Sequence, residues 1–163
     1  GAKGSAASLD EIARTAGVGI GTLYRHFPTR DALIEAVYRN ETEQLAEAAT
    51  RLMRSHPPVE ALREWLLAFV EYIATKRGVA EALDTIVGDT RDLQARSGVL
   101  LKEAGEALFR RAVDSGEIRP DLEPMDLVRA VAGVAYVGPE PNWQPAARRV
   151  IDVLIAGART TGK

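Results

Sequence analysis

Cysteine is absent from all 163 residues, which removes disulfides and thiolate metal sites and suits a reducing, cytoplasmic setting. Aromatic residues make up only 6% of the chain, and histidine occurs twice. No nucleophile–base pair, metal-ligand spacing or cofactor motif can be assembled from what remains, so no enzyme, metal or cofactor is expected. No apolar run approaches the roughly 20 residues that cross a bilayer, and no signal-peptide pattern is visible, so no membrane partner is expected. A strong net charge is lacking too: the formal value is −2, which by itself argues against non-specific binding to nucleic acid. The most telling absence is local. Between Ile12 and Thr29 there is no Asp or Glu, while Arg14, Arg25 and His26 are present and Arg30 follows at once.

With 27% charged and 46% hydrophobic residues, the composition is that of a globular protein able to build a core. The acid-free stretch lies within SLDEIARTAGVGIGTLYRHF, residues 8–27. Ser8 and Glu11 form a capping box, Leu9, Ile12 and Ala13 an apolar stripe, and Gly17 occupies the place of a left-handed C-cap. Val18 is expected to be the buried residue of the turn. A second helix over about residues 20–26 turns Leu23 and Phe27 inward, and Pro28 ends it. This is a helix-turn-helix, a unit that normally packs on a further helix, and no helix precedes it in this sequence.

The second helix of such a unit enters the major groove. Gly21 allows close backbone approach, and Thr22 offers a hydroxyl and a methyl to a base edge or a phosphate. Tyr24 and His26 suit phosphate oxygens, and Arg25 suits either a phosphate or a guanine. Arg30 adds a charge-assisted phosphate contact at the start of the next helix. Taken singly, each residue is more often a solvated surface group than a DNA contact, and Tyr24 also reads as a half-buried packing residue. The assembly within twenty residues favours DNA.

Further helices are expected over about residues 31–54, 59–76, 79–87, 92–115, 124–137 and 142–159, with Thr29 as an N-cap, Gly78 and Gly116 as stops and Pro124 in a first turn. Leu33, Ile34, Val37, Tyr38 and Leu45 are assigned to the inner side of the first of these, and Leu100, Leu101, Ala104, Leu108 and Val113 to the inner side of the helix over residues 92–115. No period-2 alternation of an exposed strand occurs, so the fold class is all-α. An N-terminal DNA-binding domain is assigned to residues 1–50, and a helical ligand-binding and dimerisation domain to residues 51–163.

AGVGIGTLYRHFPTRDAL resembles the signature of the tetracycline-repressor (TetR) family of bacterial transcription regulators. The resemblance rests on Ala16-Gly17-Val18, Gly21-Thr22-Leu23-Tyr24, Arg25, His26-Phe27 and Arg30, and SLDEIA resembles the helix before them. Gly19 and Ile20 stand where the family often has a small polar residue and a lysine. The resemblance implies a homodimer on operator DNA whose repression is relieved by a small-molecule effector. It carries DNA contact to Ser8, Gly21, Thr22, Tyr24, Arg25, His26 and Arg30. It also implies a first helix with no counterpart here.

For the remainder, Trp65, Phe69, Tyr72 and Phe109 read as the lining of an apolar effector cavity or as ordinary core. Ala130, Gly133 and Val134, with Ala147, Val150, Ile151 and Leu154, form small and branched faces suited to a four-helix bundle between two copies, or to internal core. The last helix also shows an Arg148/Arg149 face, as a boundary element would. A two-fold dimer sets two reading helices about 34–36 Å apart on a pseudo-palindromic operator. The alternative is a helical small-molecule-binding or dimerisation protein without DNA-binding activity.

Overall fold

The computed structural model describes residues 9–83, 91–137 and 142–161. Among them run seven helices: α1 (Leu9–Ala16), α2 (Ile20–His26), α3 (Arg30–Ser55), α4 (Pro58–Leu83), α5 (Arg91–Asp114), α6 (Pro124–Tyr136) and α7 (Trp143–Ala158). No strand occurs among the described residues; the only extended pairing there is an isolated antiparallel bridge between Ile118 and Arg159. Among the described residues no helix is long and apolar enough to cross a membrane. The fold is all-α, with the helix-turn-helix at its N-terminal end.

Turn chemistry explains the breaks. Gly17 has φ +70°, its N–H donates to the Arg14 carbonyl, and the Val18 N–H reaches back to Ala13, the paired bonds of a Schellman end. The Thr29 hydroxyl accepts from the Ala32 N–H at 3.1 Å and so caps α3. Pro124 occupies the first turn of α6, where its missing N–H costs nothing. Gly116 turns the chain after α5 with φ +81°.

The core is one apolar cluster built on α4, whose Ala61, Trp65, Leu66 and Val70 have essentially no exposure. It meets Leu45 and Ala49 of α3, Leu108 and Ala112 of α5, Val131 of α6 and Ala147 and Ile151 of α7. Gly105 serves this packing: a Cβ there would stand 3.4 Å from the Trp65 ring. The segment after α7 is fastened to the turn after α5. The Arg119 N–H donates to Ala158, the Thr160 N–H to Glu117, and the Thr160 hydroxyl to Gly116.

Several expectations are corrected. The helix expected to end at Gly78 runs on to Leu83 and absorbs the start of the one expected at residue 79. A helical glycine costs about 1 kcal/mol, which the good helix formers around it outweigh when no proline intervenes. The rest of that expected helix lies outside the described residues. Val18 is 42% exposed rather than buried, because α1 and α2 pack on one another while the extended packing lies among α3–α7. Val37 and Leu100 also face outward, since the buried stripe of α3 is Tyr38, Thr42, Leu45 and Ala49, and that of α5 runs through Leu101 and Leu108.

Candidate nucleic-acid interface

Helix α2 is short because both ends are set by backbone chemistry. The Gly19 carbonyl receives the N–H groups of Thr22 and Leu23 at 3.0 and 3.1 Å, and the Phe27 N–H closes the last turn on Leu23. Leu23 is the buried anchor. With that residue inward, Gly21, Thr22, Tyr24, Arg25 and His26 all lie exposed, and Arg30 is half-buried at the start of α3. The region around Gly21 is open, with no atom within 4 Å of where a Cβ would stand.

The electrostatics of this face follow from the residue order. The first turn of α2 has no acid, and its last turn carries Arg25 and His26. Arg25 and Arg30 enter none of the ion pairs found between described residues on α3 to α7 and their connections. Asp31 sits in the first turn of α3, with one carboxylate oxygen buried and unpartnered, where the helix dipole favours its charge. Ser8 lies outside the described residues. Against α1, an open groove of about 420 Å³ is lined by Glu11, Ile12, Thr15 and Ala16.

The aromatic residues of the helical body are brought together. Trp65 stacks on Phe69 with ring centroids 5.9 Å apart, and Phe69 on Tyr72 at 6.0 Å. Phe109 belongs to the same core and is 3% exposed. Burial pushes the Tyr72 hydroxyl up to about 12. On the outer side, a groove of about 210 Å³ between α3 and α4 is lined by Glu41, Gln44, Arg51, Glu71, Tyr72 and Thr75, among others.

The candidate dimer residues are divided. Ala147 and Ile151 have 0% exposure inside one chain and cannot meet a second copy, because the inward stripe of α7 is Trp143, Ala147, Ile151, Ile155 and Ala158. Ala130, Val134, Val150 and Leu154 are half-buried, and Gly133 is exposed. Three large apolar residues passed over in the sequence face water nearby: Val153 at 70%, Tyr136 at 66% and Val137 at 79%. The signal for Val153 was present, since Ala146, Val150, Val153 and Gly157 recur at 4-3-4 spacing on a stripe beside the core stripe. Arg148 is no boundary charge either: it pairs with Glu71 on α4, much as Arg63 pairs with Asp152 at 2.8 Å.

Comparison with known proteins agrees with this geometry. Residues 3–37 match the family described as bacterial regulatory proteins, tetR family, and residues 57–160 match the SbtR-like transcriptional regulator C-terminal domain. The crystal structure of the TetR transcriptional regulator SCO0520 from Streptomyces coelicolor is 43% identical, with 98% of this chain and 91% of that one covered and a TM-score of 0.87. The HTH-type transcriptional repressor Rv1474c of Mycobacterium tuberculosis is 27% identical over 134 residues, 81% of this chain and 68% of that protein. The nucleoid occlusion factor SlmA of Marinobacter nauticus is 28% identical over 116 residues; this covers 69% of the chain and only 59% of SlmA.

Proposed function

Because the chain belongs to the TetR family of bacterial regulatory proteins, we propose that it is a transcriptional repressor that binds a pseudo-palindromic operator as a homodimer and releases it when a small molecule enters the helical body. The observation that carries this reading is the outer face of α2. Thr22, Tyr24, Arg25 and His26 stand exposed on one short helix without an acid among them. Thr22 and Arg25 serve as base-edge readers, and Tyr24, His26 and Arg30 hold phosphates, with Gly21 admitting the backbone close to the duplex. The family resemblance extends DNA contact to Ser8.

In this reading residues 1–50 recognise DNA and residues 51–163 regulate and dimerise. The dimer forms through α6 and α7, with Val150, Val153, Gly133 and Tyr136 meeting their counterparts around a two-fold axis. The aromatic core formed by Trp65, Phe69, Tyr72 and Phe109 supplies the apolar wall of the effector site.

The test is anisotropy titration of the protein with the DNA upstream of its own gene and with a scrambled duplex, across a salt series. A regulator binds the former more tightly and loses affinity steeply with salt. The combined Tyr24→Ala, Arg25→Ala, His26→Ala variant should retain its fold and lose sequence-specific binding. Full specific affinity in that variant would remove the assignment of α2 as the reading helix. Absence of specific binding by the parent leaves the non-DNA-binding alternative.

A further inference from the structure

Four hydroxyls from three helices meet in the interior: Tyr38 and Thr42 of α3, Tyr72 of α4 and Ser97 of α5. All four residues are more than nine-tenths buried. Thr42 Oγ1 donates to the Tyr38 backbone carbonyl at 2.9 Å, and lies 3.1 Å from the Tyr72 hydroxyl and 3.3 Å from Ser97 Oγ. A threonine hydroxyl has one proton, and the shortest contact takes it. Tyr72 therefore donates to Thr42 and keeps a lone pair free. The Tyr38 hydroxyl is enclosed and meets no partner at good hydrogen-bond distance and angle, although the Tyr72 hydroxyl lies close enough to act on its proton. The two tyrosine rings meet edge to face at 6.3 Å.

A buried hydroxyl without a partner is a net cost to folding, and such groups are kept where something else completes them. One spare donor and one spare acceptor thus lie near one another without closing a well-formed bond, so an oxygen placed between them would complete both. The chemistry of what completes them is narrow. Among the described residues no buried side chain carries a charge, so an ionised group would be desolvated without a buried counter-ion. Lys76 is engaged on the face of the Tyr38 ring, 5.5 Å from its centroid. Beyond Tyr72 the surroundings are apolar, with Phe69 and then Trp65 stacked in series.

We propose that this hydroxyl cluster is the polar end of the effector site, and that it takes an uncharged, mainly apolar molecule bearing a hydroxyl group. Tyr38 donates to the ligand oxygen, and the ligand's own proton goes to Tyr72. Thr42, itself bonded to Ser97, holds Tyr72 in place. The inference rests on the reading of the chain as a ligand-released repressor and names the class of its ligand.

Three probes of similar shape test it on the full chain: 4-methylphenol, toluene and benzoate, titrated by calorimetry and thermal shift at millimolar concentration. The phenol should bind about tenfold more tightly than toluene, the size of one neutral hydrogen bond, with benzoate weakest. Tyr38→Phe should erase the preference for phenol while keeping the parent's cooperative melting, and Tyr72→Phe should reduce it. Equal binding of phenol and toluene, strongest binding by benzoate, no saturable binding of the phenol, or a preference that survives both variants overturns the proposal. Operator release is followed in parallel. A small molecule that releases DNA equally from the parent and from Tyr38→Phe overturns the site and leaves the repressor reading standing. Tyr38-dependent binding by a chain that recognises no operator does the reverse.

Discussion

The indole N–H of Trp65 donates to the backbone carbonyl of Leu45 across 2.9 Å, so a polar contact pins α4 to α3 inside an apolar core. The same ring stacks on Phe69 and has Gly105 against its edge. Trp65→Phe removes the bond and leaves a void next to Gly105. We expect a loss of about 2–3 kcal/mol, read in urea denaturation as a lower midpoint with an unchanged slope.

Two glycines in the helix-turn-helix should respond in opposite ways. Gly17 has φ +70° with open space around it, so Gly17→Ala strains only the backbone and should cost about 1 kcal/mol or more. Gly21 is helical and equally open, so Gly21→Ala should stabilise the fold by roughly 0.5–1 kcal/mol. If the backbone at Gly21 approaches a duplex, that more stable variant should bind operator DNA less well. Thermal melts and anisotropy on the same preparation separate the two effects.

Tyr72 sets an alkaline limit on stability. Its hydroxyl is raised by burial from 10.0 to about 12, so the folded state keeps a proton that the unfolded chain loses. The contribution is complete below pH 10 and is lost as pH rises from there through about 12. Burial raises Tyr38 in the same direction. Melting temperature should therefore fall above pH 10, and Tyr72→Phe should flatten that fall, in a series of scans across alkaline buffers.

Val153 is 70% exposed on α7, whereas Ile151, two positions earlier, has no exposure. Val153→Glu should leave helix content and monomer melting within about 0.5 kcal/mol of the parent, as surface changes do. In a dimer built on α6 and α7 it should place two carboxylates near the two-fold axis and shift sedimentation toward the monomer. Ile151→Glu, by contrast, buries a charge in the core and should unfold the chain.

Much of this architecture was legible in the order of residues. The α1–α2 break was readable because Gly17 acts through its nearest neighbours, as Pro28 and Thr29 do at the α2–α3 break, and so was the outward face of α2, since one buried position in a seven-residue helix decides the rest. Less could be read on α7. Ala147 and Ile151 form one apolar stripe, and Val150 and Val153 lie on another. Periodicity identifies stripes without saying which meets the chain's own core. The exposure of Val18 and the passage of α4 through Gly78 were misjudged for a related reason, because local preference yields to whatever packing is at hand. The cluster of Tyr38, Thr42, Tyr72 and Ser97 had no local signal, since its members meet only when α3, α4 and α5 pack.

The fastening of Arg119 and Thr160 across the turn after α5 changes how α7 carries load. A helix that ends in solvent frays, and a push on its side is dissipated at the loose end. Here the far end is clamped to Gly116, Glu117 and Ile118, so α7 behaves as a beam held at its C-terminal support rather than as a cantilever. Force applied at Val153 is transmitted to the end of α5. A displacement of α5 would in turn reach the outer side of α7, where Val153 stands exposed.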